Sequence, residues 1–272
     1  MNAVPDVASA SSRLHLDKVL RHRWIPVLIV FLAWEIVPGS GWISSRFFPP
    51  FHNVAIAFWK MAADGELGPN LGATLTIAFL GLFIATIAGV MLGAGMAVNR
   101  WLDRMFGPLV AATYSLPKSA LIPLFILWFG IGGMSNLLTV VLGCLLPILV
   151  SAYHGVSQVP KELIWSARAM GTGPRRLLVN ILLPAATASI FNGVRIGLGY
   201  CFVLVISAEM IATKIGMGKL IFLYGEGGTY DYMMAGILAV VLVAFIADQL
   251  LMALSRRLLY WEDTASRGSA YA

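Results

Sequence analysis

Long apolar runs alternate with short polar and basic punctuation along the whole 272-residue chain. A helix needs about 20 mainly apolar residues to cross the hydrocarbon core of a bilayer. The pattern marks six such runs. They are Trp24–Ile43, which carries Glu35; Leu71–Val98, long enough to tilt; Phe106–Phe129, broken by Pro117 and Pro123; Asn136–Tyr153; Ile190–Ala212; and Met233–Leu254. No alternating, strand-length pattern repeats, which argues against a β-barrel. The expectation is an all-α polytopic membrane protein with about six transmembrane helices. A polar segment, 1–23, would precede the membrane domain, 24–258, and a polar tail, 259–272, would follow it.

Composition agrees with this reading. The chain is 59% hydrophobic and 12% charged, whereas a soluble domain carries roughly 25% charged residues. Too little charge is left to coat a water-facing surface. Cys144 and Cys201 lie inside apolar runs and read as packing residues. A cleaved signal peptide fits poorly, because the basic region is long and no small-x-small site follows the first run closely.

The basic residues orient the spans. Arg13, Lys18, Arg21, Arg23, Arg100, Arg104, Lys161, Arg168, Arg175, Arg176, Arg256, Arg257 and Arg267 share one side, against Arg46, Lys60, Lys214 and Lys219 on the other. Cytoplasmic loops carry the excess of Lys and Arg. Both termini and the stretch Gly155–Ala185 are therefore expected in the cytoplasm. The pI of about 9.5 is then a matter of topology, and no nucleic-acid partner is needed.

Gly155–Ala185 holds Lys161, Glu162, Arg168, Arg175 and Arg176. Charged side chains cost roughly 2.5–3.5 kcal/mol each at a bilayer centre, so this stretch stays out of the hydrocarbon. Pro160 suits a first helical turn. Leu163, Ala167 and Met170 recur at helical spacing, with Ile164 beside them. Gly171 can end that helix in a left-handed conformation, and Gly173-Pro174 opens a second one. In that second helix Leu177, Ile181 and Pro184 should share a face. The element reads either as an amphipathic loop resting on the membrane or as a docking helix, with Ser166, Ala167 and Ala169 permitting close approach.

These residues resemble the EAA loop of ABC transporter permeases that work with a substrate-binding protein. Gly171, Ile181, Leu183 and Pro184 stand at the pattern's spacing, and Ala167 matches its second alanine. Trp165 stands in place of the pattern's Glu and Ser166 in place of its first Ala. "SLPKSALIPLFILWFGIG" (115–132) and "SAEMIATKIGMGKLI" (207–221) are similar to the nitrate/sulfonate/bicarbonate/taurine subgroup. The resemblance implies a type I importer permease in a bacterial inner membrane. It also implies a second permease copy, two cytoplasmic ATP-binding subunits that hold ATP and Mg, and an external binding protein. Leu163, Trp165, Ser166, Ala167, Arg168, Ala169, Met170, Gly171, Gly173 and Pro174 would couple the chain to the ATPase. This chain has no ATPase of its own: around Gly218-Lys219 the phosphate-loop pattern fails at Thr213 and Leu220.

Lys118, Ser207 and Glu209 are the candidates for the translocation pathway. Ionisable groups at membrane depth face the bundle interior or an aqueous cavity. A cation at Lys118 would suit an anionic solute. Glu209 could instead form an internal pair with Arg195 or Lys118. Asp248 and Glu35 read as structural. Gly81, Gly89, Gly93 and Gly95 permit close helix packing, while Trp42, Trp101, Trp128 and Trp261 suit interfacial anchoring. Gly225–Gly228, with Tyr230 and Asp231, forms either a loop touched by the binding protein or a plain turn. The rival function is a proton-driven transporter using Glu209 and Asp248. An enzyme is disfavoured, because His15, His22, His52 and His154 have no metal-ligand spacing.

Overall fold

The computed structural model describes residues 25–40 and 44–259, with the backbone alone at Ala212. Expectations for 1–23, for Trp24 and Ile43 as the ends of the first run, for Trp42 and Trp261, and for the tail from 260 onward lie outside these residues. The helices are α1 (Ile25–Gly39), α2 (Phe51–Ala63), α3 (Leu67–Val98), α4 (Arg100–Tyr114), α5 (Ile122–Phe129), α6 (Gly133–Ser157), α7 (Lys161–Ala169), α8 (Pro174–Leu177), α9 (Thr187–Ala212), α10 (Met217–Glu226) and α11 (Tyr230–Leu258). Four of them, α3, α6, α9 and α11, are long and apolar enough to cross a membrane.

Two of the six expected spans differ. The third run is not one rod. Helix α4 begins at Arg100, where the Asn99 side chain accepts the Trp101 N–H at 2.9 Å. It ends at Tyr114, and a 3-10 turn, Lys118–Leu121, leads into α5 at an angle of 97°. Pro117 and Pro123 remove the N–H groups that would carry one helix through this region. The first run yields only the 15-residue α1 among the described residues, about 22 Å of helix. It is tied to the amphipathic helix α2, which the hydropathy pattern does not reveal. The Glu35 carboxylate meets His52 Nδ1 at 2.6 Å and accepts the His52 N–H at 3.2 Å.

The core is a tight stack of α3, α6 and α9. Its buried residues include Ala78, Leu82, Ala85, Val140, Cys144, Ile148, Leu198, Cys201 and Val205. Both thiols donate within this core, Cys144 to Gly197 O and Cys201 to Ala78 O, each at 3.2 Å. Glycines set the spacing. A Cβ at Gly81 would strike Val140, one at Gly93 the Leu149 carbonyl, one at Gly143 Leu204, and one at Gly193 Ser151. Backbones approach this closely where no side chain intervenes, and in lipid such packing replaces the missing hydrophobic drive between helices. Gly95, grouped with these from sequence, faces Leu102 of α4 instead, with more room.

Gly93→Ala is expected to destabilise the folded chain by about 1–3 kcal/mol. Gly72→Ala, where a Cβ meets nothing within 4 Å, should stabilise it by roughly 0.5–1 kcal/mol. Thermal unfolding of the two purified variants in detergent decides between packing and generic helix propensity.

Candidate functional site

The expected pair of short helices is present at one end of α6 and α9. Helix α7 places Glu162 in its first turn and Arg168 in its last, matching the helix dipole. Its end is a Schellman motif: the Thr172 N–H bonds to Ala167 O at 3.0 Å, and the Gly171 N–H to Arg168 O at 2.9 Å. Gly171 has φ +76°, a region that an L side chain occupies only at a cost. Gly173 and Pro174 then open α8.

The buried face of this element differs from the expected one. In α7, Ala167 is 1% exposed and packs with Val156, Val159, Leu177, Leu182 and Ala186, with Ile164 against them. Leu163 is half exposed, Trp165 largely so, and Met170 is 79% exposed. Leu163 and Met170 therefore do not share a buried stripe with Ala167. After α8 the chain makes a π turn, Leu178–Leu182, in which the Leu183 N–H reaches back to Leu178 O. Pro184 has no N–H for the Asn180 carbonyl, and the wider turn accommodates that loss. It also shifts the register, so the fully buried residues are Leu177 and Leu182, the expected Ile181 is partly buried against them, and Pro184 is exposed. Gly155, assigned to the loop from sequence, still belongs to α6.

At the far end of α9 lies the second site. Glu209 is 0% exposed. Its carboxylate accepts Thr74 Oγ1–H (2.9 and 2.8 Å to the two oxygens) and the Gly218 N–H at 2.9 Å. Thr74 Oγ1 in turn accepts the Met217 N–H at 2.9 Å, and Asn70 Oδ1 accepts the Gly216 N–H at 2.9 Å. The free N–H groups at the head of α10 are thus capped by side chains from α3 and α9 rather than by a local residue. The glycines make room: a Cβ on Gly216 would lie 2.5–2.7 Å from the Glu209 carboxylate. The Tyr224 hydroxyl donates to Glu66 at 2.5 Å and ties down the rest of α10. Desolvation, with the Glu66 carboxylate beside it, raises this hydroxyl above its ordinary pKa and keeps it a donor.

Neither expected partner of Glu209 is found there. Arg195 instead makes a two-pronged pair with Asp248 of α11, Nε to Oδ1 at 2.7 Å and Nη2 to Oδ2 at 2.9 Å. Lys118 caps its own preceding helix, donating to Tyr114 O at 2.7 Å. Ser207 donates to Val203 O at 2.7 Å. No hydrogen bond or ion pair joins Lys118, Ser207 and Glu209, nor Glu209 and Asp248, among the described residues. Gly227–Gly228 closes a turn after α10, with Gly228 at φ +72°. Hydropathy and motif spacing do not single out Asn70 and Thr74. Their one signal is two polar residues a helical turn apart at the head of a very apolar run.

Removing one member of the α10 cap leaves buried donors unpaired, at about 1–3 kcal/mol each. Thr74→Val and Glu209→Ala should each lower thermal stability by that order, and the double variant by less than the sum, because both act on one network. Hydrogen exchange should accelerate at 216–218 in all three, while a purely additive result would separate the two residues.

Comparison with known proteins places this architecture. Residues 81–260 match the family described as the binding-protein-dependent transport system inner membrane component. The chain is 34% identical to SsuC of Escherichia coli (strain K12), assigned as an aliphatic sulfonates transport permease protein, over 88% of this chain and 90% of that one. It is 32% identical to the taurine transport system permease protein TauC of the same organism, over 92% and 96%. An inward-facing structure of the MetNI methionine ABC transporter superposes with a TM-score of 0.60 at 22% identity, covering 70% of this chain and 94% of that one. With a matched segment spanning most of the chain and relatives aligned nearly end to end, the protein belongs to the binding-protein-dependent family of ABC importer permeases, as a multi-pass inner-membrane transport subunit.

Proposed function

We propose that this chain is the permease of an ATP-driven importer for a small anionic solute. An external binding protein delivers the solute, and two separate cytoplasmic ATPases, which hold ATP and Mg, power the cycle. A second copy of the chain completes the passage, and both termini lie in the cytoplasm. Sulfonate and taurine, named for the two relatives, support the solute class. The observation that carries coupling is the geometry around α7: the apolar side chains of Leu163, Trp165 and, at the helix's C-terminal cap, Met170 are exposed, while Ala167 seats the helix against Val156, Val159, Leu177, Leu182 and Ala186. Ser166, Arg168 and Ala169 are exposed on the same short helix. The Gly171 corner, followed by Gly173 and Pro174, makes that helix a rigid handle. A motor that moved it would move α6 and α9 with it. Alternating access needs two states that the partners bind with different affinity.

A Met170→Cys variant is expected to cross-link to a cysteine in the ATPase groove, whereas Ala167→Cys, facing inward, should not. Gly171→Val strains the corner by roughly 1–2 kcal/mol and should cut binding-protein-stimulated ATP hydrolysis several-fold with membrane insertion unchanged. Solute uptake into liposomes by the isolated chain, with no ATPase present, would overturn the proposal.

A further inference from the structure

The Arg195–Asp248 pair joins two membrane-spanning helices, about a third of the way along each, and is open to one side. Arg195 sits about 12 Å from the start of α9 and Asp248 about 15 Å from the end of α11, at 1.5 Å per residue. Both distances run from the same face of the membrane, that of the α7–α8 corner, because α9 and α11 cross in opposite directions. The side chains are 50% and 27% exposed. An ion pair open to hydrocarbon at that depth is strongly disfavoured, and such groups face protein or water instead. That preference favours a surface turned toward protein or water over one turned toward lipid.

That surface is a groove of about 860 Å³ between α9 and α11. Asn192, Arg195, Gly199 and Val203, one helical turn apart, line it from α9, and Ser207 continues the same row. Asp248 holds only one edge of the guanidinium, through Nε and Nη2. A guanidinium has five N–H donors, so the Nη1 pair and the second Nη2 hydrogen remain without a partner among the described residues. A second cavity of about 300 Å³ adjoins the first at Asn192 and Arg195 and adds Arg256. Among the described residues Asp248 is the one acidic side chain lining either cavity, against Arg195 and Arg256, so their lining carries an excess positive charge.

We propose that this groove is the water-filled passage for the solute and that Arg195 is its anion-recognition residue, with Asp248 as the positioning residue that aims the free guanidinium edge into it. The assignment rests on the permease reading above and specifies where that passage runs. Neutralised by Asp248, the guanidinium stays in place between solutes. A sulfonate or carboxylate takes up the remaining N–H donors as it passes, and the apolar walls, Phe202 and Val240 among them, suit a short organic body behind the charged head. Lys118 and Glu209 then act outside the recognition step.

The test uses charged thiol reagents on the complete complex, with ATPase and binding protein, in nanodiscs. The native thiols Cys144 and Cys201 are buried and give the background. Val203→Cys, with Gly199→Cys as a second position where a Cβ meets nothing within 4 Å, is treated with an anionic sulfonate methanethiosulfonate and with its cationic trimethylammonium analogue. The anionic reagent is expected to react about tenfold faster, a preference of the order that one charge roughly ten ångströms away produces at an effective dielectric between those of protein and water. Arg195→Gln should abolish the preference and Arg195→Lys should retain it. No labelling at either position, equal rates for the two reagents, or a preference untouched by Arg195→Gln would overturn the assignment. Binding-protein-stimulated ATP hydrolysis in the same samples reports the permease reading independently. Intact stimulation without anion preference sinks only the groove.

Discussion

The closeness of three backbones, α3, α6 and α9, is the constraint under which everything else is arranged. Hydrocarbon surrounds these helices on the outside, so burying apolar surface between them gains little over leaving it in lipid. Cohesion has to come from contact density. Glycine at 81, 93, 143 and 193 lets a neighbouring side chain or carbonyl occupy the space of a missing Cβ. Alanines, and thiols donating to backbone carbonyls, fill what remains. The result is a stiff slab, with α7 fixed at one end and α10 at the other.

The slab then determines how polar groups can be kept inside. Without water, each must find its partner in the protein. Glu209 does so by capping the head of α10, with Thr74 and Asn70 completing the set. Arg195 and Asp248 do so by pairing across α9 and α11 while leaving part of the guanidinium open. The first arrangement is closed and fully satisfied, and so holds structure. The second keeps spare donors facing a groove, which is the basis of the proposed anion recognition. Two ionisable positions on the same helix serve different ends because one is enclosed and the other is not.

Stiffness also explains the loop between α6 and α9. A motor can reorient spans only through an element that does not bend when pushed. The Schellman corner at Gly171 and the π turn before Pro184 are both satisfied by backbone hydrogen bonds, and Ala167 seats α7 in a cluster with Ala94 of α3 and Val156 of α6, against which Ile190 of α9 also packs. On the proposed coupling, force applied at Met170 would reach the spans through these packed contacts.

Much of this was legible in the chain itself. Run length marked α3, α6, α9 and α11, because only a helix satisfies its own backbone in lipid. Basic residues set an expected orientation, and Gly171 announced the corner, because a left-handed turn favours glycine. What hydropathy could not reveal was anything that depends on which faces meet. The 97° bend between α4 and α5, the amphipathic α2 and the one-residue register shift at the π turn all required the folded backbone. So did the partners of the charged groups. Glu209 lies nearer to Lys118 and Arg195 in sequence than to Thr74, yet it bonds to Thr74, 135 residues away. A hydrogen bond is decided by a few ångströms of tertiary proximity, and spacing along the chain carries almost no information about that.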